Sequence, residues 1–254
     1  MKEFEHEGKE YWESFGKGMD FAPRQYFDFV SARQYEALLG KYNLQNKKVI
    51  DLGAGYPPPA TTSPEKELSP LASELQEALE RKGAKVISID VAMEALKQQK
   101  VQNREAILAS AFQLPLESES VDGGAVAMNL LSSSFKGEGG KEVFMKLEEC
   151  KKILQEVHRV LQPGTFAIFN NYGYPVVTLD NQIKVVGPDD DEVINSGMIQ
   201  KLAEGAGFKR SENIPLDDER VKLGREFMLA SFPEGLRERI ALEIKGSAAL
   251  LVEK

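Results

Sequence analysis

Cysteine is almost missing from this chain: Cys150 is the only one among 254 residues. An internal disulfide and a cysteine-rich metal site are both excluded by that count. Histidine is nearly as scarce, with only His6 and His158, which narrows the choice of a general base. Positive charge is also in deficit. Lys and Arg number 32 against 40 Asp and Glu, a net charge of −8, and no Lys/Arg-rich run offsets it locally. A surface of that sign repels phosphate backbones, so nucleic acid is not an expected partner. No stretch approaches the roughly 18 apolar residues of a membrane span. The opening residues, Met1-Lys2-Glu3-Phe4-Glu5-His6, lack the apolar core of a signal peptide. These absences lead to the expectation of a cytoplasmic protein with no membrane partner.

What is present is ordinary for a protein with a sizeable core, 42% hydrophobic and 28% charged residues. The length suits one α/β domain with elaborations. Residues 1–45 carry aromatics among charges, including Tyr11, Trp12, Tyr26 and Phe27. A helix over Pro23–Leu39 is expected there, either packed at a core edge or closing as a lid over a ligand. From residue 46 to 254 strand and helix patterns alternate, with inserts at about 56–70 and 173–195.

Apolar runs predict strands at 48–52, 85–89, 107–109, 121–128 and 165–169. Between them, Ser69-Pro70 opens a helix whose Leu71, Leu75 and Leu79 share one face, and Gly83 ends it. A short helix is expected over 94–99 and a long one over 141–161, with Phe144, Leu147, Leu154, Val157 and Leu161 as its apolar stripe. Further on, a hairpin turns at Asp180-Asn181, a helix covers 198–206 up to Gly207, another spans 236–244, and a last strand covers 248–252. Strands joined by helices need crossover connections, and these give a parallel sheet covered on both faces.

In such a sheet, ligands bind beyond the carboxyl ends of the strands, where strand order reverses. Four segments should meet there: the loop after Leu52, Asp90, Ser110–Leu116, and the stretch from Asn129. Gly53 and Gly55 let a ligand approach the backbone, although a tight turn alone also calls for glycine. Pro58 stands where a dinucleotide fingerprint needs its third glycine, and no Gly-Lys-Ser/Thr follows. The pattern therefore disfavours NAD and an ATP phosphate cradle. Asp90 can accept both hydroxyl protons of a ribose, or it can simply cap the next helix.

The runs VIDLGAGYPPP, VISIDVAMEAL, ASAFQLPLESESVDGGAVAMNLL and EVHRVLQPGTFAIFN resemble the successive motifs of class I, Rossmann-like methyltransferases. These use S-adenosylmethionine, and the likeness is to a small-molecule branch. It runs from about Lys47 to Asn171. The resemblance implies a mostly parallel seven-stranded sheet with an antiparallel edge, helices on both faces and an N-terminal helical lid. It also assigns Asp51, Gly53 and Gly55 to the methionine end of S-adenosylmethionine, and Asp90 with Val91 to the ribose. Ala111 and Phe112 fall beside the adenine, and Asn129 and Leu130 flank the sulfonium and a small-molecule substrate.

Three features depart from that pattern. Ser110 and Ala111 stand where the family often has an acid. From Gly55 to Asp90 there are 35 positions, against roughly 20 between loop and acid in comparable folds, the excess being the proline-rich insert. Tyr56 and Pro57 follow Gly55 in place of small residues. Asn129-Leu130-Leu131-Ser132 also lacks the Asn/Asp-Pro-Pro-aromatic form of DNA amino-methylating enzymes.

No general base is assigned. His158 is expected to cover the sheet or face solvent. Tyr172 and Tyr174 are candidates for the pocket rim or for ordinary packing, and Asn170 and Asn171 for hydrogen-bond donors there or for closing the turn. Tyr11 and Tyr26 are candidates to line a lid, and His6 reaches the site only where the N-terminal segment folds over it. Asp189-Asp190-Asp191-Glu192 is read as a solvated loop rather than a metal site. Two functions share all these motifs: methyl transfer to an oxygen, nitrogen or carbon nucleophile, and cofactor binding without transfer.

Overall fold

The computed structural model describes residues 38–54, 72–101, 105–128, 130–132, 134–136, 142–171, 174–179, 182–185, 196–215, 240–245 and 248–254. The expected lid helix and proline-rich insert lie outside them, as do the Asp189–Glu192 run, Gly55 and Asn129. In chain order the elements are β1 (Lys48–Leu52), α1 (Ala72–Arg81), β2 (Lys85–Asp90), α2 (Met93–Val101), β3 (Glu105–Leu108) and β4 (Gly124–Met128). A 3-10 turn (Leu130–Ser132), β5 (Ser134–Lys136), β6 (Glu142–Phe144), α3 (Leu147–Val160) and β7 (Phe166–Asn171) follow. The chain then forms β8 (Tyr174–Leu179), β9 (Gln182–Val185), α4 (Ser196–Gly205), β10 (Arg210–Pro215), β11 (Ile240–Lys245) and β12 (Ala248–Glu253).

Seven strands form the main sheet in the order β10-β12-β7-β4-β1-β2-β3. The pairs β3/β2, β2/β1, β1/β4 and β4/β7 are parallel, whereas β12 runs antiparallel to both β7 and β10. Strand alternation sends Ile50, Leu52, Ile87, Ile89, Ala125, Ala127 and Phe169 to one face, where they pack with Ile153, Leu154 and Val157 of α3 and Ile199 of α4. The other face carries Val49, Val86, Val126, Phe166 and Ile168 against Leu75 and Leu79 of α1. The expected helix-covered parallel sheet with an antiparallel edge is thus what forms. Connection from β1 to β2 proceeds to one side of β1 and from β3 to β4 to the other, so strand order reverses at β1/β4.

Helices α1 and α4 end at the glycines that mark them. Gly83 N–H donates to Glu80 O and Ala84 N–H to Leu79 O, and Gly207 and Phe208 repeat the arrangement on Glu204 and Ala203. The hairpin also forms, with Leu179 opposite Gln182. It joins β11 in a separate three-stranded sheet instead of extending the main one.

Three expectations are corrected. Of the helix expected over 236–244, the described residues 240–244 belong instead to β11, where Ile240, Leu242 and Ile244 pair with β8. The long helix starts at Leu147 and not at Lys141. Its N-terminus is set where the Glu149 carboxylate accepts the Lys146 N–H at 2.8 Å, while Glu142–Phe144 pairs with Ser134–Lys136. Leu147 accordingly lies exposed outside the core stripe. Finally, the fourth strand begins at Gly124, since Val121 makes only an isolated bridge to Leu161.

The entry to β4 leaves no room for a side chain. A Cβ at Gly123 would lie 2.4 Å from the Lys48 carbonyl oxygen, which the Gly123 N–H itself holds at 2.8 Å. Backbone on both sides cannot yield. Gly123→Ala should cost about 2 kcal/mol, read as a fall of roughly 4–8 °C in Tm. Gly205→Ala, with nothing within 4 Å of its Cβ, should leave Tm unchanged or raise it, and the two thermal melts compare them directly.

Candidate active site

The loop leaving β1 is folded back onto the end of β2. Gly53 has a φ of +67°, a conformation that only glycine adopts without strain. It directs the Gly53 and Ala54 N–H groups to one acceptor, the Ile89 carbonyl, at 2.8 and 3.3 Å. Leu130, in the turn after β4, is the nearest neighbour on the open side of Gly53, its Cδ1 lying 3.5 Å from where a Cβ would stand. Two predicted site residues therefore face each other across the β1/β4 reversal point.

Asp90 ends β2 half-buried, one position from the Gly53 anchor at Ile89. Its Oδ1 accepts the Ala92 N–H at 2.8 Å, so the capping role is real and occupies one side of the carboxylate. Val91, half-buried, is the residue closed within that turn. The Ala109 N–H donates to the Asp90 carbonyl at 3.0 Å, which starts the next segment from the same point. Within it, the Phe112 N–H reaches the Ser110 hydroxyl at 3.2 Å and the Gln113 N–H the Ser110 carbonyl at 3.1 Å. This tight turn sets Ala111 and Phe112 against the core on the α3 face.

Asp51 is placed differently. Its side chain is buried beneath the sheet's α1 face, and it accepts a hydrogen bond from Gln76 Nε2 at 2.5 Å. The same nitrogen donates to Ser88 Oγ at 3.1 Å, while Gln76 Oε1 has no partner among the described residues. The amide orientation follows from Asp51, since turning the oxygen toward its carboxylate would set acceptor against acceptor, whereas the Ser88 hydroxyl can serve either way. Sequence reading missed Gln76. Its signal was a polar residue on the face shared by Leu75 and Leu79.

Of the predicted residues, Gly53, Asp90, Val91, Ala111, Phe112 and Leu130 lie on segments that meet at one sheet edge. Asp51 lies below them. His158 is elsewhere, edge-on to the Phe208 ring at 5.1 Å, with burial as the main cause lowering its pKa and Lys254 adding to it. Cys150 is a buried thiol, pushed up to about 12 chiefly by burial and donating to the Leu131 carbonyl. Among the described residues no group of three or more His, Cys, Asp or Glu could hold a metal ion, and no helix is long and apolar enough to cross a membrane.

Residues 68–169, about two fifths of the chain, match a family model described as a methyltransferase domain. No curated protein matches the sequence. Among solved structures, a protein assigned as a sarcosine dimethylglycine methyltransferase from Galdieria sulphuraria is 17% identical with a TM-score of 0.53, over 90% of this chain and 84% of that one. A phosphoethanolamine N-methyltransferase from Haemonchus contortus, solved with phosphomonomethylethanolamine and S-adenosylhomocysteine, is 13% identical with a TM-score of 0.55, over 96% of this chain and 60% of that one. The cyclase SpnF is also similar, at 13% identity and a TM-score of 0.53, over 87% of this chain and 80% of that one. Residues 68–169 thus match a methyltransferase domain, and the chain has the Rossmann-like fold that these structures share.

The residues present would suit S-adenosylmethionine, the cofactor that the sequence motifs imply. A glycine required by its φ opens the backbone at the β1 loop, and a half-buried carboxylate at the end of β2 supplies the acceptor that ribose hydroxyls need. Support from below is testable on its own. Gln76→Leu removes the donor to a buried carboxylate and should cost about 2 kcal/mol in urea unfolding, whereas Ser88→Ala, which loses only the weaker bond, should cost under about 1 kcal/mol.

Proposed function

We propose that this protein transfers a methyl group from S-adenosylmethionine to an oxygen, nitrogen or carbon nucleophile of a small molecule. The observation that carries the reading is the meeting of Gly53, Asp90 and Leu130 at the strand-order reversal of a methyltransferase domain. Bound cofactor supplies an electrophilic methyl on a sulfonium, ready for in-line displacement. The chain's own residues bind and align. Asp90 accepts the ribose hydroxyls through its carboxylate, and Val91 lines the same turn. The Gly53 backbone admits the methionine end, a role the sequence motif also gives to Gly55. Asp51 acts from beneath, keeping the loop's strand seated through Gln76. Ala111 and Phe112 border the adenine, while Asn129 and Leu130 flank the reacting carbon and exclude water from it. Alignment of this kind supplies much of the rate enhancement in a displacement that needs no protein nucleophile.

A small substrate is supported by the acidic net charge of −8, which disfavours nucleic acid. The substrates for which the two methyltransferases above are named are of that size, one a phosphorylated amino alcohol and the other an amino acid. The second reading, cofactor binding without methyl transfer, is favoured by one observation: a protein named for cyclisation has this same fold.

Calorimetric titration separates these readings in order. S-adenosylmethionine and S-adenosylhomocysteine should bind in the micromolar range and NAD not at all. Asp90→Ala should weaken both by about tenfold or more, and unchanged affinity would remove the ribose assignment. Release of S-adenosylhomocysteine in a screen of amines, hydroxy compounds and activated carbon acids then distinguishes an enzyme from a binding protein.

A further inference from the structure

The segment from Ser110 to Leu116 has neither helix nor strand to hold it. Its upper end hangs from the Asp90 carbonyl through Ala109. Its lower end is gripped by two side chains of α3. Arg159 donates through Nη2 to the Leu114 carbonyl at 3.0 Å and through Nη1 to the Leu116 carbonyl at 2.8 Å. Glu156 Oε2 accepts the Leu114 N–H at 2.9 Å. The two side chains also lock each other, Nε to Oε1 at 2.9 Å and Nη2 to Oε2 at 2.8 Å, a forked pair.

An ordinary exposed ion pair one helical turn apart contributes little. This one differs in its outward bonds. Arg159 keeps about a third of its side-chain exposure and Glu156 about a fifth, and together they satisfy three backbone groups of another segment. The Arg159 fork holds the Glu156 carboxyl below its ordinary range, with the Leu114 N–H adding to the effect. Between this grip and the Ala109 anchor lies the tight turn bearing Ala111 and Phe112.

We propose that Glu156 and Arg159 are positioning residues for the cofactor: they hold residues 110–116 in the one conformation that receives the adenine half. The proposal rests on the cofactor reading above. The physical effect is preorganisation. A turn free at its lower end spends only a fraction of its time in the docked form, and apparent affinity falls by that fraction. The effect is confined to this turn, because the bonds that tie the following residues to α3 and its C-terminal end are main-chain ones. Glu119 N–H donates to Arg159 O, Val121 N–H to Val160 O, and Gln162 N–H to Val121 O, and none of these bonds needs a side chain from α3.

The test compares the full chain with Arg159→Met and Glu156→Gln, using S-adenosylhomocysteine and 5′-methylthioadenosine as ligands in calorimetry. Amide hydrogen exchange of the ligand-free proteins accompanies it. Arg159→Met should weaken both ligands by a similar factor, about tenfold, because they share the adenine half. Faster exchange should be confined to the amides of 112–114 and 116, with β1, β4 and β7 unchanged. Glu156→Gln keeps an acceptor for Leu114 but loses the charged fork, and should give a smaller loss of the same kind. It carries the test if Arg159→Met does not fold. Equal affinity in variant and parent would overturn the proposal, as would faster exchange across the whole sheet, which marks a merely structural role. Failure of the parent itself to bind either ligand would instead overturn the cofactor reading.

Discussion

Everything at the candidate site depends on how the chain leaves β1. Gly53 at φ +67° turns two successive N–H groups onto the single Ile89 carbonyl, and that acceptor is the residue before Asp90. Parallel register makes the coincidence possible, since Leu52 pairs with Ile89 on one side and Ala127 on the other. The loop, the carboxylate of β2 and the turn after β4 are thereby delivered to one place by backbone geometry. A residue with a Cβ at position 53 would strain this arrangement at its first step.

Beneath that edge, the two faces of the sheet do different work. The α1 face carries a buried polar cluster, Asp51, Gln76 and Ser88, inside an otherwise apolar layer. Buried polar groups are costly unless partnered, so this cluster fixes the approach of α1 to β1 and β2 more sharply than leucines alone. On the α3 face, the core is apolar and the polar work is at its rim, where Arg159 and Glu156 hold the segment after β3. Both devices stabilise the loops that surround the edge, and neither touches the reacting atoms.

The parallel strands were legible because each is a short apolar run broken by glycine, acid or polar residues, and Gly83 and Gly207 mark helix ends by their own chemistry. Where sequence reading failed, the deciding partner was remote. Ile240-Ala-Leu-Glu-Ile places apolar residues at a spacing of four as well as two, so it reads as helix until β8 pairs with it. Phe144 and Leu147 are three apart and mimic a helical stripe, but Phe144 pairs with Ser134 and Leu147 faces solvent. Asp90 was legible as ribose acceptor or cap, and the structure shows the cap directly. Gln76 and the Arg159 grip left little trace, since their partners lie 12 to 45 residues away in sequence.

The central claim is that a nucleoside-bearing cofactor binds at the carboxyl edge formed by β1, β2, β3 and β4. Amide hydrogen exchange with and without saturating S-adenosylhomocysteine reads that edge directly. The account predicts added protection at Gly53 and Ala54, across 109–113, and at Leu130, with the β8–β9–β11 sheet unaffected. Protection that appeared only in that second sheet, or none anywhere at saturating ligand, would contradict it.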